Sequence, residues 1–236
     1  MRRRWVKVLA VTVVILAVLF TVADRVAVHY ADNEVARLAE QKYGYGNSTD
    51  SHLDVSIEGF PFLTQAFGQD FDHVALTAKN FTLDTTSNAQ GGYLGVQQLR
   101  LDLHGVTVTS LTARSAEANL VTGTLTLSYD QLSGVLTRLA GTGPVKVSQA
   151  PGSDGQAAHV RISGTVGGRQ ADGSGTLLAQ GDEISLNTPG AERATATWRV
   201  GLPENVGFSA ARATPDGVRI DMVGHLVNLG ASRFSR

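Results

Sequence analysis

The sequence predicts an α+β protein built mainly on an antiparallel β-sheet, and three observations support this prediction. Runs such as Leu53–Ile57 and Leu99–Leu103 alternate apolar and polar residues, which is typical of strands with one buried face. Residues 24–43 and about 129–140 instead place apolar residues at helical spacing. The 26 glycines and the short turn sequences between the strands favour consecutive hairpins over parallel crossovers.

Residues 1–23 are predicted to be a transmembrane anchor or a signal peptide. Three arginines and Lys7 precede an apolar run of 16 residues, Val8–Ala23. Basic residues before such a run stay in the cytoplasm, so the rest of the chain is expected to be extracytoplasmic. With Trp5 and Val6 the run approaches the roughly 20 residues that cross a bilayer. Residues 21–23 also fit a small-x-small cleavage sequence, so cleavage of the signal is the alternative.

The remaining chain, residues 24–236, is predicted to form a single domain. Its leading helix, about 24–43, carries one apolar stripe and is expected to dock on a sheet, although a stalk that simply continues the anchor is an alternative. A second helix over about 129–140 is opened by Ser128 as the N-cap. Between them the alternation of apolar residues slips by one position at Gly105, which predicts a β-bulge.

Composition and motifs exclude several classes of function. The chain has no cysteine, so disulfides and thiolate chemistry are excluded. Residues 24–236 hold 16 basic and 21 acidic residues, a net charge of −5, which argues against a nucleic-acid partner. The six histidines are scattered without metal-ligand spacing, and no phosphate-binding loop or serine-nucleophile motif is present. We therefore expect no cofactor, no metal and no catalytic residues.

The stretch "GFPFLTQAFG", residues 59–68, concentrates large apolar residues in a predicted turn. Three of the eight phenylalanines lie here, and Pro61 excludes the interior of a helix or of a central strand. One interpretation is that these side chains close the end of the core. The other is that they form the mouth of an apolar groove or dip into a membrane, because exposed apolar clusters usually mark such contacts. The mouth residues predicted by this interpretation are Phe60, Pro61, Phe62, Leu63 and Phe67.

The sequence also resembles the actinobacterial LmeA-like phospholipid-binding family of exported envelope proteins. The most specific match is Gly-Phe-Pro-Phe-Leu-Thr-Gln at residues 59–65, supported by Leu202-Pro203 and Asp216-Gly217-Val218. The resemblance extends over about residues 24–229. It implies phospholipid binding at the cell envelope, in support of glycolipid or polysaccharide assembly. It also implies a fold similar to tubular lipid-binding proteins, in which a strongly curved antiparallel sheet wraps the long N-terminal helix.

We therefore expect a non-enzymatic, membrane-tethered or secreted envelope protein that holds phospholipid acyl chains against one apolar sheet face. An envelope scaffold with a filled core is the alternative, and an envelope enzyme is a third possibility. The expected partners are membrane phospholipid and the cytoplasmic membrane. Two arginines, Arg100 and Arg114, are candidates for contact with a head group. The candidate wall of the groove consists of Leu99, Leu101, Leu103, Leu125 and Leu127.

Overall fold

A computed structural model describes residues 2–43, 52–87, 92–110, 112, 115–140, 143–152, 156–166, 169–187 and 196–229. Within these residues the chain forms three helices and eleven strands. The helices are α1 (Arg2–Tyr43), α2 (Phe62–Gly68) and α3 (Tyr129–Ala140). The strands are β1 (His52–Glu58), β2 (Asp70–Ser87), β3 (Gly92–Ser110), β4 (Ser115–Leu127), β5 (Val145–Gln149), β6 (Ala157–Val166), β7 (Arg169–Gln180), β8 (Glu183–Asn187), β9 (Ala196–Val200), β10 (Val206–Thr214) and β11 (Gly217–Asn228).

The predicted α+β class with an antiparallel sheet is confirmed. Hydrogen bonds join the strands in the order β10-β11-β4-β3-β2-β9-β8-β7-β6-β5, and every pairing between them is antiparallel. β1 also pairs with β2, so the long strand β2 carries β1 beside its first half and β9 beside its last three paired residues. Strand β10 also contacts β6 and β7. Phe208 of β10 forms an isolated antiparallel bridge with Gly181, the residue after β7.

The strong curvature that the resemblance implied is not confirmed. Within the described residues the path of paired strands has two ends, β10 and β5, and does not close. Helix α1 packs on β1 and α2. The main core lies between the strands from β10 to β2 and those from β9 to β5 in this order. Leu132, Val135 and Leu136 of α3 are buried among residues from both groups of strands.

Helix α1 continues without a break from the apolar N-terminal segment into the predicted docking helix. Of the apolar stripe expected in its second half, Val28 is buried, and nearby Ala36 packs against the main core. The other expected members, Val35, Leu38 and Ala39, have side chains outside the described part of the structure. The helix ends at Tyr43, and the next residues, 44–51, lie outside the described part of the chain. The docking half and the apolar half of α1 therefore form one continuous helix.

Helix α3 begins at the predicted N-cap and covers the edge strand β5. The Ser128 hydroxyl accepts a hydrogen bond from the Gln131 N–H, and the Gln131 side chain accepts one from the Ser128 N–H, both at 3.2 Å, which makes a capping box. Two hydroxyl groups of α3 bind the backbone of β5: the Val147 N–H donates to Ser133 Oγ, and the Val145 N–H donates to Thr137 Oγ1. Two backbone donors of β5 that face away from β6 are therefore bound within the protein.

The slip predicted at Gly105 is present, but it is not the predicted β-bulge. The pairing of β3 with β2 and with β4 has the same register on both sides of Gly105, so no residue is inserted there. The ladders instead skip one position in each of four adjacent strands, at Asp72, Gly105, Asn119 and Leu226. We call this row the crease. Gly105 and Leu226 take φ of 60° and 50° there, so the strands change phase together rather than one strand gaining a residue.

Candidate functional site

The stretch 59–68, which we call the aromatic turn, divides its phenylalanines between the core and the surface. Phe60 is 55% exposed and Phe67 is 88% exposed, whereas Phe62 is buried at 7%. The Phe62 ring lies 6.2 Å from that of Phe71, centre to centre, which ties the turn to the first residues of β2. Pro61 and Leu63 are half-buried. Phe62 therefore fits the interpretation that this stretch closes the core, whereas Phe60 and Phe67 are exposed and stay candidates for the mouth.

The aromatic turn contains a helix that the sequence did not predict, and a side chain from α1 supports it. Pro61 is the N-cap of α2 and makes no side-chain capping bond. The Leu63 N–H, in the first turn of α2, instead donates to Asp24 Oδ1 at 2.8 Å. The Asp24 side chain is fully buried. A carboxylate at a helix N-terminus satisfies a free N–H and complements the helix dipole, so Asp24 caps α2 from another helix.

Two further contacts fasten α1 to this part of the sheet. The guanidinium carbon of Arg25 lies 5.3 Å from the centre of the Phe60 ring, within the range of a cation–π interaction. About two turns further along α1, Asp32 Oδ1 accepts a hydrogen bond of 2.8 Å from the Ile57 N–H of β1. Helix α1 thus meets the turn at Asp24 and Arg25 and the strand before it at Asp32.

The aromatic turn lies beside the end of the exposed apolar part of α1. Large apolar side chains from Val13 to Val22 are all more than 40% exposed, so they pack against nothing in the domain. The span Thr12–Glu34 is long and apolar enough to cross a membrane. From Trp5 to Ala23 a helix is about 28 Å long, close to the thickness of a bilayer core. The turn therefore adjoins Asp24 and Arg25, the first charged residues after the apolar run Val8–Ala23.

The predicted wall leucines share one sheet face but differ in exposure. Leu99 pairs with Leu125, and Leu101 and Leu103 follow at alternate positions of β3. Leu125 and Leu127 are fully buried in the main core. Leu103 is also buried, but in a second, smaller cluster. Leu99 and Leu101 are half-buried, as are their neighbours Val74 and Leu76 on β2. Half-buried Ile57 of β1, paired with Val74, extends the row. We call Ile57, Val74, Leu76, Leu99 and Leu101 the apolar floor.

The two arginines chosen from the sequence are not placed beside the apolar floor. Arg100 is exposed, and as the residue between Leu99 and Leu101 it lies on the opposite face of the strand. Arg114 lies outside the described residues. The arginine that the structure brings to the aromatic turn is Arg25, which sequence reasoning missed. Its position directly after the apolar run, next to an acidic residue, was the available signal.

The polar face opposite carries a histidine pair. The rings of His73 and His104 stack with centres 4.5 Å apart, and the two nitrogens of His73 lie 2.9 Å from Glu58 Oε2 and 3.1 Å from Asp102 Oδ1. His73 therefore lies on the polar face of β2, opposite Val74 of the apolar floor. Within the part of the chain that the structure describes, no group of histidine and acidic side chains has the arrangement of a metal site.

The chain matches the family described as LmeA-like phospholipid-binding over residues 22–222. This match covers the docking half of α1, the aromatic turn and nearly all of the strands. Searches of curated proteins and of solved structures gave no match. The resemblance first indicated by the Gly59–Gln65 motif is thus confirmed over most of the sequence, and the chain belongs to the LmeA-like phospholipid-binding family.

Proposed function

We propose that this protein is a membrane-tethered, extracytoplasmic phospholipid-binding protein without enzymatic activity. Helix α1 spans the membrane, the aromatic turn inserts Phe60 and Phe67 into the outer surface of the bilayer, and the apolar floor holds acyl chains. Support of envelope glycolipid or polysaccharide assembly is part of this proposal, and it comes from the resemblance to the family.

The observation that carries the proposal is the position of the aromatic turn. Exposed Phe60 lies over Arg25, and exposed Phe67 belongs to α2, which Asp24 caps. Asp24 and Arg25 directly follow the apolar run Val8–Ala23 of α1. Aromatic side chains favour the interface between the head groups and the acyl chains. Exposed phenylalanine side chains are unfavourable in water, but they are stabilised when a bilayer surrounds them.

The apolar floor supplies a surface suited to acyl chains. Its five side chains are aliphatic and half-buried, on the same face as fully buried core leucines. Each methylene group of an acyl chain that leaves water contributes about 0.8 kcal/mol, so contact with only several methylenes gives useful affinity. Ile57 of the floor is two residues from Gly59, the start of the aromatic turn, so mouth and floor are adjacent in the chain.

The test is photocrosslinking of the full chain in vesicles that contain a phospholipid with a diazirine on its acyl chain. Crosslinked peptides from β1 to β3 report lipid on the apolar floor, and crosslinks to α1 serve as an internal control. We expect Phe60→Asp with Phe67→Asp to reduce the β1–β3 crosslinks about tenfold, because two buried charges oppose insertion. The unfolding midpoint should stay unchanged, since both side chains are exposed.

Leu178→Asp with Val223→Asp is the matched control, because these side chains are 40% and 37% exposed on strands away from the turn. This variant should crosslink as the wild type does. If the wild type crosslinks only through α1, the apolar floor binds no lipid and the domain is a scaffold with a filled core. If the Phe60/Phe67 variant crosslinks normally, the aromatic turn is not the mouth.

A further inference from the structure

The buried polar atoms around the aromatic turn include two without a hydrogen bond. Asp24 Oδ1 is bound by the Leu63 N–H, but Asp24 Oδ2 accepts no hydrogen bond. Gln65 Oε1 is bound by the Asp72 N–H, but Gln65 Nε2 donates none. Buried polar atoms in folded proteins are nearly always paired, so an unpaired acceptor and an unpaired donor in one small region indicate a partner that is not part of the chain.

Gln65 Nε2 lies against the backbone of Gly59, and Asp24 Oδ2 lies near Arg25, whose side chain reaches the Gly59 carbonyl oxygen. The Gln65 amide packs directly against Gly59, where φ is 110° and a Cβ atom would collide with it. Arg25 Nη2 lies 3.5 Å from the Gly59 carbonyl oxygen and 3.8 Å from Asp24 Oδ2. The distance of 3.8 Å is longer than a direct charge-assisted hydrogen bond, so the arginine leaves Asp24 Oδ2 without a donor.

Arg25 is also free to adjust. Its side chain is 54% exposed, and its guanidinium rests on the exposed ring of Phe60. A group that enters from the bilayer surface would meet Arg25 first and would reach the fully buried carboxylate of Asp24 behind it. The region therefore presents two donors of hydrogen bonds, Arg25 and Gln65, together with one charged acceptor, Asp24.

We propose that Asp24, Arg25 and Gln65 form a head-group subsite for phospholipids that carry an N–H or O–H donor beside the phosphate. The phosphate oxygens bind Arg25 and Gln65 Nε2, and the donor of the head group binds Asp24 Oδ2. This inference rests on the proposed function, since the same lipid lies with its acyl chains on the apolar floor. A head group without a donor, such as choline, leaves Asp24 Oδ2 unpaired.

Phosphatidylethanolamine and phosphatidylcholine distinguish this subsite, because both are zwitterionic and differ in the N–H donors. The full chain is placed in vesicles with either lipid as the diazirine probe, at equal mole fraction and with identical acyl chains, and crosslinks to β1–β3 are counted. We expect the wild type to favour the ethanolamine probe about tenfold, the effect of one hydrogen bond to a charged group.

Asp24→Asn is the decisive variant. Its carbonyl can still accept from the Leu63 N–H, but an amide donor replaces the free acceptor, so the ratio of the two probes should fall to about one. Asp32→Asn is the matched control, because Asp32 also accepts a backbone N–H from β1. It should retain the tenfold preference. Arg25→Gln should weaken both probes equally and leave their ratio unchanged, because the phosphate that Arg25 binds is common to the two lipids.

The outcomes separate the subsite from the proposed function. If the wild type crosslinks both probes equally at β1–β3, the subsite is wrong and lipid binding stands. An Asp24→Asn protein that keeps the preference also overturns the subsite. If neither probe reaches β1–β3, the proposed function and the subsite fail together. Excess soluble glycerophosphoethanolamine should leave the ratio unchanged, and abolition of the preference by this compound would show that the site takes a free phosphodiester rather than a lipid.

Discussion

Helices α2 and α3 are stabilised in opposite ways. Helix α3 provides its own cap through Ser128 and Gln131, and it buries an apolar stripe in the main core. Helix α2 has no side-chain cap of its own and exposes Phe67. Its cap is Asp24 of α1, which lies 39 residues before Leu63 in the chain. Local sequence therefore specifies α3, whereas α2 depends on the docking of α1. Helix α3 contributes to the core, and α2 contributes to the surface that faces the proposed membrane.

The largest contrast between the two helices is expected for apolar truncation. Leu132 on α3 is fully buried, so Leu132→Ala should lower the free energy of unfolding by about 2–5 kcal/mol. Phe67 on α2 is 88% exposed, so Phe67→Ala should change it by less than about 0.5 kcal/mol. Urea unfolding of the full chain in detergent, followed by the fluorescence of buried Trp198, measures both. A large loss for Phe67→Ala would mean that the aromatic turn is a core element.

Removal of the caps gives a smaller and more local contrast. Ser128→Ala and Asp24→Ala each remove one side-chain acceptor from a helix N-terminus, at a cost of about 1 kcal/mol each. Hydrogen exchange should locate the two losses differently. Ser128→Ala should increase exchange in residues 129–133, while Asp24→Ala should increase exchange in residues 62–66 and along the docked half of α1. Equal exchange in residues 62–66 with and without Asp24 would contradict the dependence of α2 on α1.

The smallest effect concerns pH and the start of α3. Burial raises the pKa of Tyr129 above its ordinary value of 10.0, and its hydroxyl donates to the Thr214 carbonyl oxygen at 2.7 Å. The folded state favours the neutral phenol. This contribution is therefore fully present below about pH 10 and is lost as the pH rises through the raised value.

The free energy of unfolding should fall slightly more steeply above pH 10 in the wild type than in Tyr129→Phe. Urea midpoints at pH 8 and at about pH 11 measure the difference between the two proteins. Parallel slopes would show that Tyr129 ionises equally easily in the folded and unfolded states.

The sequence was most informative where structure depends on local residues. Alternation placed Leu99 and Leu101 on one face, and Ser128 marked the start of α3. The sequence was less informative where partners are distant in the chain. Nothing near Pro61 shows that Asp24 caps α2, so the helix was missed. The slip at Gly105 looked like a bulge because its counterparts Asn119 and Leu226 become visible only when the strands are paired.

The candidate site shows the same limit. Concentration of phenylalanines identified the aromatic turn, but it did not separate buried Phe62 from exposed Phe60 and Phe67. Periodicity identified the leucines of the wall, but exposure depends on what covers each strand, and Leu125 and Leu127 lie in the same buried cluster as Leu132 and Leu136 of α3. Arg100 was chosen because it neighbours those leucines in the chain, whereas Arg25 approaches the turn only through the docking of α1.

The hydroxyls of Ser133 and Thr137 have a consequence for crowding. An uncovered edge strand recruits a strand from another copy, and copies confined to one surface meet far more often than copies in solution. In β5 the N–H groups of Val145 and Val147 are already bound by α3, so this edge offers a second copy fewer donors. Helix α3 thus opposes the pairing of β5 with a strand of a second copy, and a high surface density of the protein favours such pairing less than it would with an uncovered edge.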